Sequence, residues 1–272
     1  MTATSAAEVI AHRGGNGERP GETMLAYHHA KSLGVDVLEM DVYLTRDGHL
    51  VLMHDKLVQG TTNGEGHVWE FTLAQIQELN AGYYWAAPDG TFPYQKDLSK
   101  LPPDLRTELR VPSLAEVFSE FGDMRMIVEM KPAKDSPAEA LWNLIQKFDL
   151  TRKVQVASFW HSYITEFRNR SGGAVPTSTS WEEFGELLLG FHGFEKHPVR
   201  PTVADSPHWL LDAGRVDSLH EHGYEVQAWT VNKIADMDRM IALGVDGIIT
   251  DYPCALLQRL QRRSQTCEIL PE

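Results

Sequence analysis

The chain has 272 residues, 42% of them hydrophobic and 23% charged, and its 25 Lys and Arg against 38 Asp and Glu give a formal net charge of −13. That length suits a single α/β barrel of about 250 residues or two smaller domains. The acidic balance, with no basic stripe, argues against nucleic acid and an anionic membrane surface as partners, so any anionic substrate must meet local positive charge.

Residues 1–8 carry no apolar core, so neither a signal peptide nor an anchor is expected there. No stretch of about 18 apolar residues occurs, so no transmembrane segment is expected. Short apolar runs at 8–12, 37–43, 124–130, 154–157, 174–178, 225–230 and 247–250 read as strands, with a weaker candidate at 202–204. Between them, residues 22–33, 113–121, 138–148, 161–168, 181–190, 210–222 and 233–243 repeat apolar side chains at helical spacing. Ser113 is placed to cap one helix, and Gly34 and Gly244 follow the ends of two others. The basic run from Arg259 to Arg263 falls in a C-terminal helix and is expected to face solvent. Cys254 and Cys267 are too few for a disulfide framework, and reduced thiols in a cytoplasmic protein are the expectation.

Strand–helix alternation through about eight units predicts a closed (β/α)8 TIM barrel. The alternative, an open doubly wound sheet, lacks its dinucleotide signature: His12-Arg13-Gly14-Gly15 follows the first strand where Gly-x-Gly-x-x-Gly would be needed. Residues 54–109 break the rhythm, with one short helix near 73–79 and a Pro/Asp/Gly-rich piece from 86 to 103. With no linker composition on either side, this reads as an insertion of approximately 56–110 after the second barrel strand, within a single domain spanning 1–272 and covering the site.

The chemistry lies in ionisable residues set into apolar strands. In Val37-Leu38-Glu39-Met40-Asp41-Val42 the period of two puts Glu39 and Asp41 on one face, and in Ile127-Val128-Glu129-Met130-Lys131 it pairs Glu129 with Lys131. One acid near a strand end usually pairs with a neighbouring base. Two strands repeating the arrangement would bury three carboxylates and one ammonium, which is costly without function. Glu39, Asp41 and Glu129 converging with oxygen-only donors call for a hard divalent cation, Mg²⁺ or Ca²⁺. Of twelve histidines, His12 and His54 stand apart because each ends an apolar run at the same face of the expected barrel. Two imidazoles beside a metal suit general acid and base; the sequence does not say which is which, and the reading leans to His12 as base. Arg13 and Lys131 suit phosphoryl oxygens, one as a planar fork and one as a point charge.

At these residues the chain resembles the glycerophosphodiester phosphodiesterase family. The resemblance runs in order through Ala11-His12-Arg13-Gly14, Gly34 to Val42, Leu44 to Gly48, His54-Asp55, Thr61 to Gly64, Val128 to Lys131, Ser158-Phe159, Trp229 to Asn232 and Gly244 to Pro253. It implies a (β/α)8 barrel with a small insertion after the second barrel strand. It also implies metal ligands Glu39, Asp41 and Glu129, acid and base His12 and His54, phosphate contacts Arg13 and Lys131, and Trp229 lining the pocket. Two positions depart from the family pattern: Pro20-Gly21-Glu22-Thr23 stands where Pro-Glu-Asn-Thr is usual, and Gly60 stands where an Arg often precedes Thr-Thr.

The function implied is metal-dependent hydrolysis of small glycerophosphodiesters to glycerol 3-phosphate and an alcohol, attack coming from water directly or from the substrate's 2-hydroxyl through a cyclic phosphate. One alternative is a lysophospholipase D-type enzyme, whose mark would be an apolar rim on the insertion, where Phe71, Tyr83, Tyr84, Trp85, Phe92 and Tyr94 cluster. The other is a non-catalytic phosphodiester-binding protein on the same barrel.

Overall fold

In the computed structural model of the chain, which describes residues 6–190, 199–262 and 267, the apolar runs become strands and the amphipathic segments helices. In order these are β1 (Glu8–Ala11), α1 (Met24–Leu33), β2 (Val37–Leu44), β3 (Leu50–Leu52), α2 (Leu73–Ile76), α3 (Pro103–Leu109) and α4 (Leu114–Phe121). There follow β4 (Arg125–Met130), α5 (Ala138–Lys147), β5 (Val154–Ala157), α6 (His161–Ser171), α7 (Trp181–Leu188), β6 (Val203–Pro207), α8 (Ala213–Glu221), β7 (Glu225–Trp229), α9 (Ile234–Leu243), β8 (Gly247–Thr250) and α10 (Pro253–Arg259). Residues 1–5 and Arg263, on which two of the sequence expectations bear, lie outside the described residues.

The parallel strands hydrogen-bond in the order β5-β4-β2-β1-β8-β7-β6. The strand expected at 174–178 contracts to two single-residue parallel bridges, Val156 to Thr177 and Ser178 to Val203, which lie between β5 and β6 and complete the circuit. This is the TIM-like barrel that alternation predicts, with one strand reduced to its minimum. The bridging residues are fixed from outside the sheet. Arg168 of α6 donates to Thr177 Oγ1 at 2.8 Å, to Ser178 O at 2.7 Å and to Glu183 Oε2 at 3.0 Å. Arg168 and Glu183 are each 4% exposed at the side chain, so removing one partner leaves the other as an uncompensated buried charge. Arg168→Ala should therefore cost about 3–5 kcal/mol of unfolding free energy, measured by urea denaturation; a loss below 1 kcal/mol would contradict this role.

Alternation along β2 separates two environments. Leu38, Met40 and Val42 are fully buried against Tyr27, Ala30, Leu114, Val117, Phe118 and Phe121 of the surrounding helices. Each such side chain contributes about 1.5–3 kcal/mol. The opposite faces meet inside the barrel, where Ile10, Val37, Ile127, Ala157 and Ile249 form an apolar layer and Trp229 packs on it. Helix ends follow the sequence signals: Ser113 and Glu116 form a capping box, and Gly34 and Gly244 take left-handed conformations at φ 81° and 73°. Helix α1 begins at Met24, later than the expected 22, because Glu22 is itself left-handed (φ 58°) and the Thr23 hydroxyl caps the first turn.

Strand β3, which periodicity did not predict, runs antiparallel to β2 with Val42 opposite Leu52. The inserted segment has its own apolar cluster of Val51, Met53, Val58, Val68, Ile76, Ala81 and Val111 around Tyr43. It also reaches the loop after β1, where Trp85 Nε1 donates to Asn16 O at 2.9 Å. The helix expected at 73–79 is the single turn α2.

The cysteine expectation is overturned. Cys254 and Cys267 form a disulfide, their Cα atoms 5.8 Å apart, within the separation a bridge requires. The argument for a reducing compartment, which rested on free thiols, falls with it. No helix among the described residues is long and apolar enough to cross a membrane.

Candidate active site

At the carboxyl ends of the strands a cleft of about 660 Å³, open to solvent, is lined by His12, Arg13, Glu39, His54, Glu129, Lys131 and Trp229 together with apolar and polar residues of β4 to β8. Register puts Asp41 beside Glu129 across the β2–β4 pair, and one carboxylate oxygen each of Glu39, Asp41 and Glu129 lies within 4.8 Å of the others. All eight residues singled out in the sequence thus converge on one place. The insertion contributes less than expected: β3 delivers His54, but no residue of 56–110 belongs to the cleft lining.

Two fixed cations sit among the acids. Lys131 Nζ lies 2.7 Å from Glu129 Oε1 and 3.0 Å from Asp41 Oδ1, and Arg13 Nε lies 3.0 Å from Asp41 Oδ2. The Arg13 contact is outside hydrogen-bonding geometry, so Asp41 Oδ2 is a buried oxygen with no hydrogen bond. Arg13 itself is left-handed (φ 52°, ψ 34°), a conformation costing about 1–3 kcal/mol that is held by its N–H donating to Glu39 Oε2 at 2.9 Å and its carbonyl accepting from Glu22 N at 3.1 Å.

Burial and negative charge dominate the electrostatics. Burial, reinforced by Asp41, pushes Glu39 up to about 7. Burial pushes Glu129 up to about 8 although Lys131 opposes it. Asp41 goes the other way: burial is outweighed by the charges of Lys131 and Arg13, which hold it well below the usual carboxylate range. Glu22 is raised well above its ordinary value by burial and by Asp41 and Glu39. Four carboxylates thus share two fixed cations, and the donor atoms are all oxygen. A hard divalent cation fits that set, on the surplus of negative charge and the unbonded Asp41 oxygen.

Both imidazoles are oriented through Nδ1. His12 Nδ1–H donates to Asp251 Oδ1 at 2.7 Å, and Asp251 Oδ2 accepts from Asn232 Nδ2 at 2.6 Å. His54 Nδ1–H donates to Asp55 Oδ1 at 2.8 Å. A carboxylate only accepts, so each pairing leaves Nε2 as the working nitrogen; that of His12 stands 4.0 Å from Glu39 Oε2. The two environments differ. Burial disfavours the imidazolium of His12, but the Asp251 hydrogen bond and the charges of Glu39 and Asp251 outweigh it, raising its pKa above 6.5. At His54 burial, aided by Arg13 and Lys131, outweighs Asp41 and lowers the pKa below 6.5.

Both departures from the family pattern have local causes. A Cβ at Gly21 would fall 2.6 Å from Asn16 Oδ1, and the next residue, Glu22, accepts from Asp41 N at 2.9 Å and from Tyr27 OH at 2.7 Å. A Cβ at Gly60 would fall 2.6 Å from Asp55 Oδ2, so the glycine leaves room for the carboxylate that orients His54. Asp251, Asn232 and Asp55 lie in the sequence blocks that carried the resemblance, yet their roles appear only from contacts. Thr179 and Asp205 of the cleft had no sequence signal.

The family model for glycerophosphoryl diester phosphodiesterases matches residues 12–255. A glycerophosphodiester phosphodiesterase of Caldanaerobacter subterraneus subsp. tengcongensis is 31% identical over 262 residues, covering 93% of this chain and 98% of that protein. A lysophospholipase D of Mus musculus is 26% identical over 286 residues, covering 94% of this chain and 83% of that protein. Among solved structures, an Oleispira antarctica phosphodiesterase in complex with the product sn-glycerol-3-phosphate shares the fold, with a TM-score of 0.73 at 23% identity, covering 94% of this chain and 97% of that one.

Proposed function

The chain belongs to the glycerophosphoryl diester phosphodiesterase family, and from that premise we propose that it hydrolyses glycerophosphodiesters to glycerol 3-phosphate and an alcohol with the help of a divalent cation. One observation carries the reading: two carboxylate-anchored imidazoles flank an oxygen-only acidic triad into which Arg13 and Lys131 project. Glu39, Asp41 and Glu129 would hold a Mg²⁺ or Ca²⁺ ion, whose chemistry is to neutralise charge on the phosphoryl oxygens. Arg13 and Lys131 bind those oxygens and stabilise the charge that grows on them. His54, with its pKa lowered, takes the proton of the attacking hydroxyl at Nε2, and His12, with its pKa raised, delivers a proton from Nε2 to the leaving alkoxide; where that hydroxyl is the substrate's own, water then opens the cyclic phosphate with the two roles exchanged. This runs against the lean from sequence: Asp251 and Glu39 raise His12 against its burial, while burial, helped by the two fixed cations, lowers His54. Trp229 and Phe159 line the cleft and would wall the side from which the alcohol leaves.

The pH profile follows from these directions. His54 must be unprotonated, so kcat/KM rises with pH through its depressed pKa, below 6.5. His12 must be protonated, so kcat/KM falls through its elevated pKa, above 6.5. A bell with its limbs on either side of 6.5 is expected from initial rates at saturating cation; a profile with no descending limb would contradict the assignment of His12 as acid.

A second reading, action on lysophospholipids, is favoured by Trp160, Trp181 and Trp209, which are 52%, 46% and 64% exposed. These follow β5, the bridging residues and β6, across the cleft from the insertion, where only Tyr84 and Phe92 of the six expected aromatics are exposed. Product analysis on glycerophosphocholine, glycerophosphoethanolamine, glycerophosphoinositol and a lysophospholipid separates the two: release of glycerol 3-phosphate supports the first, release of lysophosphatidic acid the second, and no turnover of any of them defeats both.

A further inference from the structure

The cleft has a second polar wall, away from the acids. Asp205 lies on β6, opposite Gln227 of β7, and Thr179 follows the bridging residues. Asp205 Oδ1, Thr179 Oγ1 and Trp229 Nε1 are all buried and all without a hydrogen-bond partner. Each such atom costs about 1–3 kcal/mol, and three on one wall of one cleft mark a surface that a bound molecule completes. Among the described residues Asp205 forms no ion pair, whereas the cations of the cleft, Arg13 and Lys131, are committed to the acidic triad.

Phe159 and Trp229 line the same wall, and the exposed Trp181 and Trp209 pack against them from outside the lining. Phe159 and Trp229 have ring centroids 5.2 Å apart, Trp181 lies 5.6 Å from Phe159 and 5.9 Å from Trp229, and Trp209 lies 6.1 Å from Trp229. Phe159 already carries Lys131 Nζ over its ring at 5.7 Å, which leaves a head group to the tryptophans. A lone carboxylate beside several aromatic faces is the environment that receives an alkylammonium ion, the carboxylate balancing its charge and the rings its apolar surface. A neutral polyol would meet the carboxylate without balancing it and would leave the rings unused.

Building on the phosphodiesterase reading, we propose that Asp205, Thr179, Trp181, Trp209 and Trp229 form the subsite for the leaving alcohol and select an ammonium-bearing head group over an uncharged one. The substrate then lies along a charge gradient: its phosphate at the cationic wall of Arg13 and Lys131, its ammonium at Asp205. Both quaternary and primary ammonium groups share this chemistry. The aromatic faces favour the quaternary one, and the unbonded Asp205 Oδ1 and Thr179 Oγ1 favour the primary one.

The test is kcat/KM for glycerophosphocholine, glycerophosphoethanolamine and glycerophosphoglycerol above pH 7, with wild-type protein and Asp205→Asn, an isosteric change. Wild type should prefer the better ammonium substrate to glycerophosphoglycerol at least tenfold, and Asp205→Asn should bring that ratio close to one, mainly through KM. Whichever of choline or ethanolamine is preferred identifies which half of the wall dominates. Trp209→Ala, at an exposed position that does not endanger folding, should lower the glycerophosphocholine-to-glycerophosphoglycerol ratio severalfold. A wild-type ratio near one, or a ratio unmoved by both variants, overturns the proposal while leaving the phosphodiesterase reading standing. Turnover of none of the three substrates removes both.

Discussion

Replacing His54 by alanine lowers kcat by about 10²–10⁴-fold while the protein stays folded. The imidazole is 39% exposed and its fixed partner is Asp55, 54% exposed, so its loss orphans no buried charge. The turn that carries it is held independently by the backbone bond from Met53 N to Asp41 O. Steady-state kinetics on glycerophosphocholine together with a melting curve check this. A purely structural role for His54 would move the melting temperature and leave the shape of the pH profile intact. A catalytic role leaves melting nearly unchanged and removes the ascending limb. Wild-type turnover in His54→Ala would refute the assignment. His12→Ala is a less clean experiment, because it also strips Asp251 of a hydrogen bond in a largely buried setting.

Chelation should abolish turnover, and Mg²⁺ or Ca²⁺ should restore it. Glu22, Glu39, Asp41 and Glu129 repel one another across a buried space that Arg13, Lys131 and the two imidazoles offset in part, and burial with the Asp41 charge pushes Glu39 up to about 7. Glu39→Gln tests the point most cleanly. The amide oxygen still accepts from Arg13 N, so the loop after β1 keeps its anchor, while one negative charge disappears. The variant should need at least tenfold more cation for half-maximal rate and lose about 10³-fold in kcat/KM, the rate equivalent of several kcal/mol of charge stabilisation. An unchanged cation requirement in Glu39→Gln would remove Glu39 from the ligand set.

Much of this site was legible because strands have a strict period. Glu39 and Asp41 alternating with Leu38, Met40 and Val42 leave one arrangement in which the apolar face packs and the acids converge, and Glu129 and Lys131 repeat it on β4. What the sequence concealed is what depends on distant pairing. His12 and its partner Asp251 are 239 residues apart, and only closure of the ring through the β1–β8 pair brings them together. Strand β3 is three residues long, too short for periodicity to register, although it places His54. Thr177 and Ser178 make single bridges where a full strand was expected, and Arg168, distant from them in the sequence pattern, holds both. Cys254 and Cys267 are near in sequence, but pairing depends on the path between them, which composition does not report. Asp205 gave no signal, since one acid in a short, weakly patterned run resembles any surface carboxylate until its surroundings are known.

The most direct measurement of the central claim is a ³¹P NMR time course of glycerophosphocholine with the purified protein, first after exhaustive chelation and then with Mg²⁺ or Ca²⁺ restored. The expected spectrum is static in the chelated sample and, on adding cation, converts to glycerol 3-phosphate with free choline. Conversion at full rate without cation, or appearance of phosphocholine in place of glycerol 3-phosphate, would contradict it.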